Sequence, residues 1–137
     1  AVVQLSGTNE APTAVNTAAS GTAVFAYNRA TRELSYALTA LDMSPTMAHI
    51  HRGAAGVAGP VAYTFSATPF TTTLTGVFTL SASDEALLLS DGLYVNVHSA
   101  TNPAGEIRGQ IHVTGGYATA TKTFSVQYEV YLPIVAR

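Results

Sequence analysis

Cysteine is absent from the 137-residue sequence, and charged residues make up only 10% of it. The lack of cysteine excludes disulfides, thiolate metal ligands and cysteine nucleophiles. One lysine, Lys122, and five arginines contribute to a net charge of −2, so the chain has neither a basic stripe for nucleic acid nor a polybasic patch for a membrane surface. No apolar run approaches the ~18 residues that a membrane-spanning segment needs.

Hydrophobic residues make up 47% of the chain, which is enough to build one buried core and excludes intrinsic disorder. The low charge leaves a surface of Thr, Ser, Asn, Gly and Ala, which favours a secreted or cell-surface protein. The sequence begins Ala1-Val2-Val3 without an initiating Met, as expected of a mature product after signal removal and equally of a trimmed chain.

Hydrophobic and polar residues alternate with a period of two along most of the chain, as in Leu93, Val95 and Val97. This alternation is typical of strands with one buried face. Such strands are predicted at 2–6, 21–28, 33–40, 46–51, 60–65, 72–80, 92–98, 105–113 and 122–132. Many short strands separated by turns predict an all-β fold, a Greek-key-like β-sandwich or flattened barrel of about eight to nine strands.

One short helix is predicted near 84–90, with Ser83 as its cap, Asp84 and Glu85 in its first turn and Gly92 after its end. Residues 1–113 are predicted to form the β-sandwich, and 114–137 a C-terminal extension that begins after Gly115-Gly116. The strand at 122–132 either completes the sandwich's own edge or adds to the edge of a neighbouring copy. One apolar face of this strand is formed by Phe124, Val126, Tyr128, Val130 and Leu132.

The stretch HIHRGAAGVAGP, residues 49–60, has a glycine spacing that does not fit a nucleotide-binding loop, because Pro60 leads into a strand and not a helix. His49 and His51 are two apart on a strand, so both side chains point to one face. His98 belongs to the outward-facing set of another strand. Three such imidazoles suit Cu(II) or Zn(II), with His112 or Glu106 as a fourth ligand.

The alternative is that these histidines only form hydrogen bonds with turns and a neighbouring carboxylate. Glu106 and Arg108 share a face, where they form either a surface ion pair or, beside His49 or His51, a pair that orients the ligands. Glu10, Asn96 and Arg108 are the residues expected to orient the ligands or to support the structure around them. No arrangement of a nucleophile and a base stands out, so no catalytic residue is assigned.

Four blocks of the sequence closely resemble the CHRD domain, the chordin-type module that is widespread in secreted bacterial proteins. They are LSGTNEAP (5–12), SGTA (20–23), AHIHRG with GPV (48–53 and 59–61), and GLYVNVH with NPAGEIRGQI (92–98 and 102–111), so the resemblance spans about residues 2 to 113. It implies an extracellular β-sandwich. The His-x-His strand is similar to that of the copper-zinc superoxide dismutase sandwich, although a bridging histidine and a zinc-loop aspartate pattern are absent.

The leading hypothesis is a secreted or cell-surface structural or interaction module without enzymatic activity. Its partner is expected to be a second copy of the chain, bound through the C-terminal strand, or another extracellular protein. The alternative is a protein that binds copper, or zinc, through His49, His51 and His98. A third alternative is an enzyme of oxidative defence built on that copper site.

Overall fold

The computed structural model describes residues 1–112 and two short strand segments, 117–119 and 129–131. Within these residues the fold is all-β and has one short helix: eight antiparallel strands in residues 1–112 form a nearly closed, barrel-like sheet, and two short strands at 117–119 and 129–131 are added to it, which confirms the predicted fold class. The strands are β1 Val2–Ser6, β2 Ser20–Asn28, β3 Glu33–Leu41, β4 Pro45–Arg52, β5 Val61–Ser66, β6 Leu74–Thr79, β7 Leu93–Ser99, β8 Ile107–Gln110, β9 Tyr117–Thr119 and β10 Glu129–Tyr131. A 3-10 helix, Gly7–Asn9, follows β1, and helix α1, Ala82–Leu89, precedes β7.

The strand order is β5-β4-β7-β8-β1-β2-β10-β9, with β3 paired to β2 and β6 paired to β3. This order places β4 beside β7, although about 40 residues of chain separate them, and their register pairs His51 with Tyr94 and His49 with Asn96. Among the eight strands of residues 1–112, β5 and β6 form the two ends of the curved sheet. Aromatic side chains bring these ends together, since the rings of Phe65 and Phe78 lie 5.3 Å apart.

The core is filled by the inward residues of each strand, because alternate side chains of a strand point to opposite faces of the sheet. These residues include Val3, Leu5, Ala23, Phe25, Leu34, Leu38, Ala48, Ile50, Leu93, Val95, Val97 and Ile107. Strand β7 differs from its predicted one-sided pattern: every residue in it is buried. The alternation holds, but loops cover the outer face of β7 as well. Among the described residues, no helix has the length and hydropathy required to cross a bilayer.

Two local predictions require correction, and one element was missed. The cap of α1 is Ser81, not Ser83, because its hydroxyl accepts the hydrogen bond from the backbone N–H of Asp84. Strand β8 spans Ile107–Gln110 and not 105–113; it begins after Gly105, whose φ of 133° is not a strand conformation. The 3-10 helix after β1 was not predicted.

The C-terminal extension is described only in part. Strand β10 pairs with β2 through Glu129 and Tyr27, and β9 pairs with β10. Most of the predicted strand 122–132 lies outside the described residues, and so do its apolar positions Phe124, Val126, Tyr128 and Leu132.

The Asp84 side chain connects α1 to the sheet through hydrogen bonds. Its side chain is 1% exposed and accepts a bidentate pair of hydrogen bonds from Arg52, with Nε at 2.6 Å and a terminal nitrogen at 2.9 Å. The hydroxyls of Tyr63 and Ser81 also donate to it, at 2.7 and 2.8 Å. The hydrogen bonds from Arg52, followed by those from Tyr63 and Ser81, lower the pKa of Asp84 to about 2 even though burial opposes this shift.

Asp84→Asn is therefore expected to destabilise the fold at pH 7 by about 2 kcal/mol, because hydrogen bonds to the carboxylate are lost and the cap is weakened. Because the pKa of Asp84 is lower in the folded chain, its stabilising contribution is present above pH ~4 and is lost as the pH falls towards 2. The difference between the wild type and the variant should therefore shrink with acid. Urea unfolding at several pH values measures it.

The matched control is Glu85→Gln, because the Glu85 carboxylate lies 4.0 Å from the half-exposed Arg29 at the limit of an ion pair. This variant should change the free energy of unfolding by less than ~0.5 kcal/mol. An Asp84→Asn effect no larger than that of the control, or one that grows with acid, would contradict the role of the carboxylate.

Candidate metal centre

Three histidines meet on the outer face of β4 and β7. His49 and His51 alternate with the core residue Ile50 on β4, and His98 alternates with Val97 on β7. The ring centroids lie 5.0 Å apart for His49 and His98, 5.5 Å for His49 and His51, and 5.8 Å for His51 and His98. One nitrogen from each ring can be chosen so that all three lie within 4.8 Å of one another.

Two of the rings are oriented by main-chain carbonyls. Nδ1 of His51 lies 2.8 Å from the oxygen of Gly59, and Nδ1 of His98 lies 3.0 Å from the oxygen of Pro103. Because a carbonyl oxygen only accepts, both Nδ1 atoms carry the proton, and each Nε2 of the neutral ring presents a lone pair. Nε2 of His51 is buried and has no hydrogen-bond partner among the described residues.

His49 completes the cluster from a half-buried position. Its Nδ1 lies 3.1 Å from Nε2 of His98, and since that Nε2 is an acceptor, His49 donates the hydrogen bond. A proton therefore lies between two nitrogens that could both bind an ion. Turns account for the Nδ1 atoms of His51 and His98, as the simpler prediction expected, but they do not account for the convergence of the remaining nitrogens.

All three rings are neutral at physiological pH. Burial, followed by the charges of His98 and His51, lowers the pKa of His49 to about 4. Burial also lowers the pKa of His51, with a further contribution from Arg108, and burial lowers that of His98, with a further contribution from His51. The neutral imidazole is the form that binds metal, so protons compete little for these nitrogens near pH 7.

Arg108, Tyr94 and His51 form a continuous stack beside the cluster. The guanidinium carbon of Arg108 lies 3.5 Å from the centroid of the Tyr94 ring, within the range of a cation–π contact. Tyr94 in turn stacks on His51, with centroids 5.0 Å apart and planes 13° apart. Arg108 is 2% exposed and donates to the carbonyl oxygens of Val57 and Ala54, both at 2.8 Å. These hydrogen bonds hold the glycine loop, residues 53–60 between β4 and β5, against the sheet.

Glu10 and Asn96 lie on the same side of β7. The amide nitrogen of Asn96 donates to Oε1 of Glu10 at 2.5 Å, and Asn96 is paired in register with His49. Burial raises the pKa of Glu10, while the hydrogen bond from Asn96 and the charge of Arg108 oppose that shift. The charge of Arg108 thus acts both on His51 and on the Glu10 carboxylate, which is joined to Asn96 on β7.

The two candidates for a fourth ligand lie elsewhere. His112 is exposed, with Nδ1 3.3 Å from a carboxylate oxygen of Asp91. Glu106 accepts a hydrogen bond from the hydroxyl of Thr17 at 2.6 Å. Arg108 donates to loop carbonyls, so the predicted pairing of Glu106 with Arg108 is replaced by contacts to residues 54 and 57. In the described part of the chain, the cluster consists of His49, His51 and His98.

The donor set fits a first-row transition metal. Metal–nitrogen bonds are about 2.0 Å long, so two nitrogens on one ion are at most about 4 Å apart, slightly less than the widest separation of 4.8 Å in the cluster. Small rotations of the rings would close that difference. Imidazole nitrogens suit copper and zinc, and three of them leave a further coordination position open.

Sequence reasoning did not identify the groups that orient the cluster. The carbonyls of Gly59 and Pro103 leave no signal in a sequence, because every residue has one. Tyr94 could have been identified from the sequence, since it lies four residues before His98 on the same face of β7.

One comparison with known proteins identifies the family. The family model of the CHRD domain matches residues 1–111, which is most of the chain. Comparison with curated proteins and with solved structures gives no match. The chain therefore belongs to the CHRD domain family.

Proposed function

We propose that this domain binds one copper ion through Nδ1 of His49 and Nε2 of His51 and His98. The observation that supports the proposal is that one nitrogen of each of the three rings converges with the others, and that two of the rings have their Nδ1 protons held by carbonyl oxygens. Metal-binding histidines are typically oriented in this way through their second nitrogen. The proposal is one of binding, not of catalysis.

Copper is favoured over zinc by the donor set. For a given site of nitrogen ligands, Cu(II) binds more tightly than Zn(II). The three donors are neutral imidazoles. Zinc sites with three protein ligands have an open fourth position, so zinc is the competitor that the experiment must include.

The test is a titration of the metal-free protein with Cu(II) and, separately, Zn(II), followed by competition between them. One equivalent of copper should bind, with nitrogen hyperfine structure in the electron paramagnetic resonance spectrum. His112→Ala provides the control, because His112 contacts Asp91 away from the cluster, and it should leave the stoichiometry unchanged. Absence of a specific site at micromolar copper, or preferential retention of zinc, would reject the proposal.

A second function is supported by the family. CHRD domains are extracellular-type interaction modules, so we infer that this chain also associates with a second copy or another extracellular protein. The pairing of β10 with β2 and β9 adds strands beyond the region that matches the family. The added strands are the natural place for an interaction that is particular to this protein.

Deletion of residues 117–137 is accordingly expected to lower the assembly state while the remaining chain stays folded, since the family match ends at residue 111. Sedimentation velocity measures the assembly state, and circular dichroism checks the fold. Deletion of residues 132–137 alone, which leaves β9 and β10 intact, is the matched control. A folded deletion variant with unchanged association would exclude the C-terminal strands as the interface.

A further inference from the structure

We infer that the three-histidine site binds Cu(I) more tightly than Cu(II), and that Arg108 contributes to this preference through its stack on Tyr94 and His51. The inference rests on the proposed copper site and deepens it, because it names the oxidation state and the residue that influences it. It follows from the charge of the donors, from the position of Arg108 and from the coordination that the cluster provides.

The donor atoms of the cluster carry no negative charge. Within the described residues the cluster contains three imidazoles and no carboxylate, so a bound Cu(I) leaves a net charge of +1 and a bound Cu(II) leaves +2. His51 and His98 are buried, and the free energy required to keep a charge away from water rises steeply with its size. A site without a negative ligand therefore penalises the divalent ion more than the monovalent one.

The position of Arg108 adds to this difference. Arg108 is 2% exposed, and its guanidinium carbon lies 3.5 Å from the centroid of the Tyr94 ring, which itself lies 5.0 Å from the centroid of the His51 ring. Interactions between buried charges are screened much less than those at the surface. A positive charge held there repels Cu(II) about twice as strongly as Cu(I).

The carboxylate of Glu10 acts in the opposite direction. It accepts a hydrogen bond from Asn96 and interacts with the charge of Arg108, so it offsets part of the positive field. Neutralising Arg108 and neutralising Glu10 should therefore change the ratio of Cu(I) to Cu(II) affinity in opposite directions. A purely structural role of either residue would not give that pattern.

The number of ligands that the cluster supplies also favours Cu(I). Cu(II) prefers tetragonal sites with four or more ligands, whereas the described residues supply three nitrogens. The carbonyls of Gly59 and Pro103 hold two of the three rings in place, which allows small rotations of the rings but adds no fourth ligand. The missing ligands would have to come from water.

The experiment compares the affinities of the purified protein for the two ions. The affinity for Cu(I) is measured anaerobically with ascorbate present and bicinchoninate as the competing chelator, and that for Cu(II) with nitrilotriacetate. The wild type should bind Cu(I) more tightly. Arg108→Gln should lower the ratio of Cu(I) to Cu(II) affinity by about tenfold, equivalent to about 59 mV for a one-electron couple, and Glu10→Gln should raise it.

Arg108→Lys is the matched control, because it keeps the charge while losing the planar guanidinium, and its ratio should stay closer to the wild type than that of Arg108→Gln. Equal ratios in Arg108→Gln and Arg108→Lys, a fall in Glu10→Gln, or tighter binding of Cu(II) by the wild type would overturn the inference. If Arg108→Gln does not fold, the direction of the change in the affinity ratio of Glu10→Gln tests the inference by itself. A protein that binds neither ion would reject the proposed copper site itself.

Discussion

Replacement of His51 by alanine is expected to abolish stoichiometric copper binding, with a loss of affinity of at least about 100-fold. The wild-type ring supplies a buried Nε2 that has no other partner among the described residues, and its Nδ1 is held 2.8 Å from the Gly59 oxygen. Changes to groups that only orient a ligand reduce metal affinity by about 10- to 100-fold. Removing the ligand itself should therefore exceed that range, and competition with a chelator measures the loss.

The same substitution removes a ring that stacks on Tyr94, so the fold must be checked separately. His51→Ala should still unfold cooperatively, with a loss of about 1–3 kcal/mol, because the Gly59 carbonyl loses the close hydrogen bond from His51 and keeps only the one from the Tyr94 hydroxyl at 3.4 Å. His112→Ala should bind copper like the wild type. If His51→Ala folds and retains one tightly bound copper, the three-histidine site is excluded.

Gly59→Ala is expected to impair both the fold and the site. A Cβ at residue 59 would overlap the carbonyl oxygen of Arg52, which is main chain and cannot rotate away. The N–H of Gly59 also donates to the Tyr94 hydroxyl at 3.0 Å, and its carbonyl orients His51. We expect a loss of about 1–3 kcal/mol in the free energy of unfolding, as for other overpacked positions, and a 10- to 100-fold loss of copper affinity.

Ala58→Ser is the matched control for this position, because Ala58 is an exposed neighbour in the same loop. It should leave both quantities within experimental error of the wild type. Thermal unfolding of the metal-free protein measures the first effect, and chelator competition at a temperature where the variant is folded measures the second. A destabilised Gly59→Ala protein with unchanged copper affinity would show that the Gly59 carbonyl does not orient the ligand.

The strands could be predicted from the sequence because their signal is local. Alternation within β2, β3, β4 and β7 depends on which residues face the core, and that information lies within each strand. The same period-two argument places His49 and His51 on one face. The helix was also predictable, but its cap was not, because Ser81 and Ser83 are equally good caps until the approach of the chain to α1 is known.

The rest of the site depends on the order of the strands. His98 meets His49 only because β4 and β7 are neighbours, whereas His112 has a similar pattern on the sequence and contacts Asp91 instead. Arg108 illustrates the same limit. Alternation placed its side chain on a polar face beside Glu106, but its donors reach carbonyls more than 50 residues away in the glycine loop, which then covers that face.

The hydrogen bond between His49 and His98 has a consequence for how the domain would exchange ions with its surroundings. In the metal-free protein the proton on Nδ1 of His49 occupies the space that an ion would take. When an ion enters, this proton can move to the other nitrogen of the same ring, so the protein as a whole gives up no proton. Thiolate sites release protons when they bind metal, so their metal affinity depends on the pH. A domain of this kind would instead take up and return copper at nearly constant affinity across neutral pH, and would lose affinity only in acid, where the imidazoles become protonated.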